Sequence, residues 1–249
     1  LEGKNPKLAR RVPRFVVDYL RRTIHEREVN EILARFGDLE GIAFVRAALG
    51  YMNVRYHSVG MERLNPEGRY VFASNHPFGG MDGLMLADEV ARYFGDVRVV
   101  VNDLLMYLGR SGTVRAGEQA RPSGCRKRGG FQYAFASDVP IVTFPAGLCS
   151  RRRRGVVRDL EWKPNFVKKA AAYGRDVVPV YFNGRLSDFF YRLSNLRTVL
   201  GIKANIEMLY LADEMFRQAG SDFEIIIGRP IPSASLLEGR RRGRRPITS

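Results

Sequence analysis

The stretch YVFASNHPFGGMDG (residues 70–83) runs from an apolar segment through a glycine-rich turn into an amphipathic segment. Its first five residues are mostly apolar, as expected of a strand that is covered on both faces. After the turn, Asp82 is placed to cap a helix that Gly95 ends, and the apolar positions between them recur at helical spacing. A strand that passes through a glycine turn into a helix puts the turn at the carboxyl edge of a sheet, where α/β proteins gather their active groups.

Further strands and helices alternate along the chain. Segments that are short and rich in branched or aromatic residues indicate strands over 54–60, 97–102, 139–144, 177–182 and 223–228. Helical spacing of apolar residues indicates helices over 165–173, 188–200 and 205–219. This order predicts an α/β protein with a mixed, mostly parallel central sheet flanked by helices.

Residues 1–50 form a predicted N-terminal helical extension. Apolar residues recur at helical spacing from Phe15 to Ile24, with Pro13 in the first turn, and again over 29–36 and 39–49. The Arg and Lys residues beside these apolar stripes are typical of a solvated outer face, and also of a surface that docks on anionic lipid.

The rest of the chain divides into a main domain over 51–235 and a basic tail over 236–249. Residues 110–130 contain six Arg or Lys, five Gly and hardly any large apolar side chain, so we predict a poorly ordered loop there.

The composition is that of a globular protein, with 45% apolar and 27% charged residues, but the formal net charge is +15. Such a charge attracts anionic membrane surfaces and nucleic acids alike. Two cysteines without paired spacing predict neither a disulfide framework nor a zinc site, which suits a reducing compartment. No apolar run reaches the length of about 18 residues that spans a bilayer. We therefore expect a cytoplasmic protein that, if it meets a membrane, lies on the surface.

His76 and Asp82 are candidates for a catalytic pair. A histidine can take a proton from a hydroxyl group when an acceptor holds its other ring nitrogen and fixes the tautomer. Pro77, Gly79 and Gly80 allow the chain between the two residues to fold back. Alternatively, His76 only caps the helix or bonds a neighbouring carbonyl group. His25 and His57, the other two histidines, lack comparable surroundings and are interpreted as structural.

The chain contains neither a G-x-S-x-G nucleophile elbow nor a phosphate-binding G-x-x-x-x-G-K-[ST] loop. A histidine base without an evident protein nucleophile suggests that a substrate hydroxyl attacks an activated acyl group directly. This chemistry needs no metal or cofactor. Backbone N–H groups of Gly79, Gly80 and Gly83, near a helix N-terminus, are candidates to stabilise the oxyanion.

A second strand runs into PIVTFPAGLCSRRRRG, residues 140–155, where Phe144, Pro145, Ala146 and Gly147 precede four arginines. Arginines beside a strand end can clamp a phosphate or carboxylate group, or they can form a solvated basic loop. Their place directly after a strand-edge turn favours an anionic partner.

NHPFGGMDG with FPAG downstream resembles the glycerolipid and lysophospholipid acyltransferase superfamily, in which a histidine and an aspartate precede a Phe-Pro-Glu-Gly block. Five residues between His76 and Asp82, and Ala146 in the glutamate place, resemble its haemolysin-like bacterial branch, associated with O-acylation of lyso-aminolipids such as ornithine or glycine lipids. The similarity continues through DLEWKPNFVKKA, through a block marked by Pro179, and to residue 232. Residues 110–130 depart from the family pattern, which has an apolar strand and an acceptor-binding block there.

The resemblance implies a glycerol-3-phosphate acyltransferase-like fold with His76 as general base and Asp82 as its orienting partner. The substrate-binding residues are predicted around the two turns: Asn75, Gly79, Gly80, Phe144, Pro145, Ala146, Gly147 and Arg151. The implied enzyme works in phospholipid or aminolipid metabolism as a peripheral protein on the cytoplasmic face of the membrane. It would move a fatty acyl group from an acyl carrier protein or coenzyme A thioester to a hydroxyl of a lyso-lipid.

Two alternatives remain open. A lipid thioesterase or hydrolase would use the same histidine with water as the acceptor. A nucleic-acid-binding protein would explain the charge, but the chain has no recognisable reading motif, so nucleic acid is not the expected partner.

Overall fold

A six-stranded sheet lies at the centre of the molecule in the computed structural model, which describes residues 13–100 and 134–236. Its strands are β1 (Arg55–Val59), β2 (Tyr70–Ser74), β3 (Arg98–Val100), β4 (Ile141–Thr143), β7 (Asp176–Phe182) and β8 (Asp222–Ile227). The spatial order is β1-β8-β7-β2-β4-β3. The neighbours from β7 to β3 run parallel, whereas β8 is antiparallel to β7 and parallel to β1. The predicted mixed, mostly parallel sheet is confirmed.

Helices cover the sheet. They are α1 (Arg14–Thr23), α2 (Glu26–Phe36), α3 (Gly41–Tyr51), α4 (Met81–Phe94), α5 (Asn165–Ala172), α6 (Asp188–Val199) and α7 (Leu211–Arg217), with 3₁₀ turns at Met61–Arg63 and Ile206–Tyr210. On β2, Phe72 belongs to the core cluster that includes α3 and α4 residues, whereas Val71 and Ala73 belong to the cluster that includes Phe166 and Ala170 of α5. Alternation along the strand thus packs both faces of the sheet.

Helix α3 joins the residues before position 50 to the main core. Val45 and Leu49 are buried in it, and Arg46 contacts Asp88 of α4 at 2.6 Å. The division of the chain at residue 50 stays a prediction.

Several local expectations differ from the structure. Helix α4 begins at Met81 after Gly80, so Asp82 lies one residue inside the helix instead of capping it. Gly95 ends this helix with a positive φ of 84°, as predicted. The helix expected over 205–219 is a 3₁₀ turn followed by the short α7. The predicted loop over 110–130 and nearly all of the predicted basic tail over 236–249 lie outside the described residues.

The arginine-rich segment forms a hairpin that the sequence reading missed. Strand β5 (Arg151–Arg153) pairs antiparallel with β6 (Val156–Arg158) in a separate two-stranded sheet. Arg154 and Gly155 form its turn, both with positive φ. Consecutive arginines give no period-two pattern of apolar residues, so the strand signal is absent.

Candidate active site

The turn between β2 and α4 carries the predicted catalytic histidine and packs tightly under α7. Gly79 has a φ of +71°, a region that side chains with a Cβ atom rarely adopt. A Cβ atom on Gly79 would lie 2.8 Å from Cδ2 of Leu211, and one on Gly80 would lie 2.9 Å from the sulfur of Met215. The turn therefore needs glycine for its backbone conformation at Gly79 and for space at both positions.

His76 and Asp82 are brought into contact by this turn. The His76 Nδ1 atom lies 3.0 Å from Oδ2 of Asp82, and the Asp82 side chain is completely buried. The Phe78 N–H donates to the same carboxylate oxygen at 3.0 Å, and the Gly83 N–H donates to Oδ1 at 2.9 Å. With the Nδ1 proton held by the carboxylate, the lone pair of a neutral ring lies on Nε2. The position of Asp82 in the first turn of α4 also favours its negative charge.

The environment of His76 makes its ring a stronger base. Burial by itself would lower the pKa of the imidazole, because a charged ring is poorly solvated there. The charge and hydrogen bond of Asp82, with the charge of Asp159, act in the opposite direction and prevail. The pKa of His76 is therefore raised above its ordinary value.

The second predicted turn lies next to the first, because β2 and β4 are neighbouring parallel strands. The Phe144 ring lies beside the His76 ring, with centres 4.3 Å apart and planes inclined by 31°. The turn is closed by the Gly147 N–H, which donates to the Phe144 carbonyl oxygen at 2.9 Å, and the Pro145 carbonyl accepts from the Lys163 N–H at 3.1 Å. Ala146 is buried. The structure thus places Phe144 beside the His76 ring, at the start of the second turn.

Asn75 and Arg151 are held by contacts within the protein. The Asn75 amide donates to the Phe182 carbonyl at 2.9 Å and accepts from the Phe182 N–H at 2.8 Å, which extends the pairing of β2 with β7. The Arg151 guanidinium is buried, donates to the Cys149 carbonyl at 2.8 Å and forms an ion pair with Glu207 at 3.1 Å. These contacts give both residues a positioning role, and their contact with substrate stays a prediction.

Asp159 is a site residue that the sequence reading did not single out. Its Oδ1 atom accepts from the His76 N–H at 3.1 Å and from the Ser150 hydroxyl at 2.6 Å, and its Oδ2 atom accepts from the Trp162 indole at 2.8 Å. The Ser150 N–H in turn donates to the His76 carbonyl at 2.8 Å. The DLEW segment was recognised as similar to the family, but its distance of 83 residues from His76 gave no signal of this contact.

A cleft of about 270 Å³ lies at the arginine hairpin and the residues that follow it. It is lined by Arg151, Arg153, Arg158, Asp159, Leu160 and Glu161. Because Arg151 pairs with Arg158 and Arg153 with Val156 in the hairpin, the three arginines lie on one face of it. Arg153 and Arg158 are exposed and form no ion pair among residues 13–100 and 134–236. The cleft therefore presents positive charge, and Asp159 links its lining to the backbone of His76.

The described residues offer neither a cluster of metal ligands nor a membrane-spanning helix. No three His, Cys, Asp or Glu side chains in this part of the chain converge as metal ligands would. Among its helices, none is both long enough and apolar enough to cross a bilayer.

Comparison with known proteins gives consistent matches. A family model described as acyltransferase matches residues 1–242. Lyso-glycine lipid O-acyltransferases of Bacteroides thetaiotaomicron and Phocaeicola vulgatus are 45% and 43% identical over 238 residues, covering 93% of this chain and 86% and 84% of theirs. The crystal structure of the 1-acyl-sn-glycerophosphate acyltransferase PlsC from Thermotoga maritima aligns with 86% of this chain and 78% of its own, at 13% identity and a TM-score of 0.39. The matches in sequence confirm the resemblance that the two turn motifs indicated.

Proposed function

The chain belongs to the acyltransferase family, and on that premise we propose that it transfers a fatty acyl group to the hydroxyl of a lyso-glycine lipid. The observation that carries the proposal is the buried contact between His76 and Asp82 at the carboxyl edge of β2. The relatives named for this activity are similar over 93% of the chain, which includes both turns of the site.

The reaction follows from the tautomer that Asp82 selects. The Nε2 atom of His76 takes the proton of the acceptor hydroxyl while its oxygen bonds to the carbonyl carbon of an acyl thioester. The resulting tetrahedral intermediate expels the thiolate as the carbon–sulfur bond breaks, and the imidazolium returns its proton to the sulfur. Asp82 stabilises the imidazolium in between. The donor is an acyl carrier protein or coenzyme A thioester.

The oxyanion of the intermediate needs N–H donors at the turn. Gly83 was expected to be one of three such donors, but its N–H already donates to Asp82. The N–H groups of Gly79 and Gly80 have no acceptor among the described residues. They precede the first turn of α4, so the helix dipole adds to their effect.

The acceptor headgroup matches the charge of the cleft. A glycine lipid whose amine is acylated keeps one carboxylate, and Arg153 and Arg158 can bind it through charge-assisted hydrogen bonds. Binding in the cleft would place the lipid next to Asp159, which contacts the backbone of His76.

The test compares a lyso-glycine lipid with its uncharged methyl ester as acceptors, with both thioester donors. Wild-type protein should acylate both, and His76→Ala should abolish transfer. Arg153→Gln with Arg158→Gln should raise the KM for the free acid by about tenfold, because a charge-assisted contact is lost, and change that for the ester little. The control, Arg63→Gln with Arg229→Gln, removes the same charge from exposed positions elsewhere. It should leave the KM values for the free acid and for the methyl ester unchanged.

The proposal is wrong if His76→Ala retains transfer, or if free fatty acid forms at the same rate with and without acceptor. The second result would identify a hydrolase. An equal rise of KM for acid and ester in the cleft variant would contradict the carboxylate assignment alone.

A further inference from the structure

We propose that the outward face of α6, together with the adjoining 3₁₀ turn and α1, is a docking surface for an anionic lipid bilayer. The outer apolar surface is defined by Phe15, Phe189, Leu196, Val199, Leu200 and Leu209, all of which are exposed. The inference goes beyond acyl transfer, since membrane binding can be measured in a protein without any turnover.

Helix α6 is apolar on two sides. Its inner side is buried in the molecule and consists of Phe190, Tyr191 and Ser194. Its outer side carries apolar residues at steps of four, three and four, the spacing of one helix face: Phe189, Leu193, Leu196 and Leu200. Leu200 is 62% exposed and the neighbouring Val199 is 83% exposed. A helix that only faced water would carry polar residues on its outer side, so this face fits a second apolar phase.

The apolar face continues across three elements. The Phe189 ring lies against the ring of Tyr210 at the end of the 3₁₀ turn, with centres 4.9 Å apart. The Tyr210 hydroxyl bonds to the hydroxyl of Tyr19 on α1 at 2.5 Å. Phe15, one helical turn before Tyr19, is 73% exposed. Side chains from α1, the 3₁₀ turn and α6 therefore form one surface instead of isolated exposed residues.

The positive charge around the outer apolar surface favours an anionic bilayer as its partner. Exposed cations lie on or beside the same elements: Arg14, Arg21, Arg22, Arg192 and Lys203. Each of the two helices carries one acidic residue, Asp18 on α1 and Asp188 on α6, so cations outnumber acidic residues on both. A second copy of this chain would bring another net charge of +15 against these cations, and like charges oppose that contact. An anionic bilayer offers both an apolar interior for the side chains and negative headgroups for the cations.

The surface adjoins elements that contact the catalytic turn and the hairpin. Leu211 and Met215 of α7, which follows the 3₁₀ turn directly, face Gly79 and Gly80. Glu207 of the 3₁₀ turn contacts Arg151 of the hairpin that lines the cleft. If the proposed function holds, docking by this surface brings the cleft to the interface where a lyso-lipid acceptor resides.

The experiment measures sedimentation of the full chain with vesicles of phosphatidylglycerol and phosphatidylcholine, and with vesicles of phosphatidylcholine alone. We expect binding to the anionic vesicles that weakens as salt rises. Replacing Leu196, Val199 and Leu200 by Gln should lower the affinity by about tenfold or more, because three apolar side chains no longer enter the bilayer. All three are exposed, so the unfolding temperature should change little.

A matched control replaces three other exposed apolar residues, Val59, Tyr181 and Ile226, by Thr. They are cross-strand neighbours on β1, β7 and β8 and belong to none of the elements that form the outer apolar surface, so their loss should leave vesicle binding unchanged. The His76→Ala protein should also bind as the wild type does, so failure of acyl transfer would not affect this test.

Three outcomes overturn the inference. They are no binding of the wild type to anionic vesicles, equal binding by the α6 variant, and an equal loss in the control. Conversion of a wild-type dimer to a monomer by the α6 substitutions, with vesicle binding unchanged, would assign the surface to a second copy instead.

Discussion

At the scale of single residues, the glycine-rich turn explains why a histidine and an aspartate six positions apart can meet. The Asp82 carboxylate faces the N–H groups of Phe78 and Gly83 as well as the ring of His76, so the turn is built around it. Gly79 supplies the positive φ that folds the chain back. The carboxylate thus shapes the turn and directs the histidine at the same time.

Replacing Asp82 by Asn tests the electrostatic part of this arrangement. In the wild type, transfer should rise as the pH passes upward through the raised pKa of His76, because only the neutral ring accepts a proton. Without the charge of Asp82, burial lowers the pKa, so the rise should move to lower pH while the maximal rate falls by about a hundredfold or more. A pH–rate profile measures both. Asp159→Asn should also shift the rise in transfer rate to lower pH, but by a smaller amount. An unshifted pH–rate profile in Asp82→Asn would contradict the role of the Asp82 charge.

Replacing Gly79 by Ala tests the backbone and the space together. The left-handed conformation alone costs about 1–2 kcal/mol for a residue with a Cβ atom, and the contacts with Leu211 and Cys149 add to that. Gly95→Ala is the matched control, since Gly95 has a φ of +84° but open space around its Cβ position. Denaturant unfolding should show a larger decrease in the free energy of unfolding for Gly79→Ala than for Gly95→Ala. Transfer activity should fall only in Gly79→Ala. An equal decrease in the free energy of unfolding in both variants would mean that the contact with Leu211 of α7 does not restrict position 79.

At the scale of elements, a buried acidic residue fixes the arginine hairpin beside the site. Glu207 of the 3₁₀ turn contacts Arg151 of β5 at 3.1 Å and Arg197 of α6 at 2.9 Å, and it is completely buried. One carboxylate therefore joins β5 to two elements that follow it much later in the chain, α6 and the 3₁₀ turn. This contact sets the face of the hairpin that the cleft presents.

Replacing Glu207 by Gln should strongly destabilise the protein, by about 3 kcal/mol, because two arginines lose the charge that they face in the interior. Asp222→Asn is the control, since it breaks the exposed pair with Arg55 and should cost clearly less. Urea unfolding measures the difference in the free energy of unfolding between the two variants. The KM for the acceptor should rise only in Glu207→Gln. If both variants unfold at the same urea concentration, the buried pair contributes little.

At the scale of the whole molecule, one arginine joins the sheet to the segment that leads into β4. Arg175, directly before β7, has no solvent exposure and donates to backbone carbonyls of Tyr70, Phe135 and Val139. Burial, together with the charge of Arg69, lowers its pKa to about 10, which leaves it protonated at neutral pH. The guanidinium therefore supplies hydrogen bonds to carbonyl groups that are buried or partly buried.

Replacing Arg175 by Met should lower the free energy of unfolding by about 3 kcal/mol, since the carbonyls of Tyr70 and Phe135 in the interior would lose this donor. Arg185→Met, at an exposed position, should change it little. Thermal unfolding compares the two. A small effect of Arg175→Met would show that neighbouring groups can replace its hydrogen bonds.

The sequence by itself determined the sheet class, the strand–turn–helix unit and the choice of His76 and Asp82 as a candidate pair. These features depend on local patterns: apolar runs predict buried strands, helical spacing predicts α4 to α6, and glycines mark the turns. The second turn, with Phe144, was assigned to the site by the resemblance to the acyltransferase superfamily, and the structure shows β2 and β4 side by side.

Only the tertiary structure decided which distant groups complete the site. Asp159 reaches the His76 backbone across 83 residues, and Glu207 meets Arg151 across 56. No periodic pattern in the sequence predicts the hairpin, the burial of Arg151 or the contact of α7 with Gly79. Each depends on how elements that form separately pack together. The local sequence around such a residue therefore does not identify the side chain that it contacts.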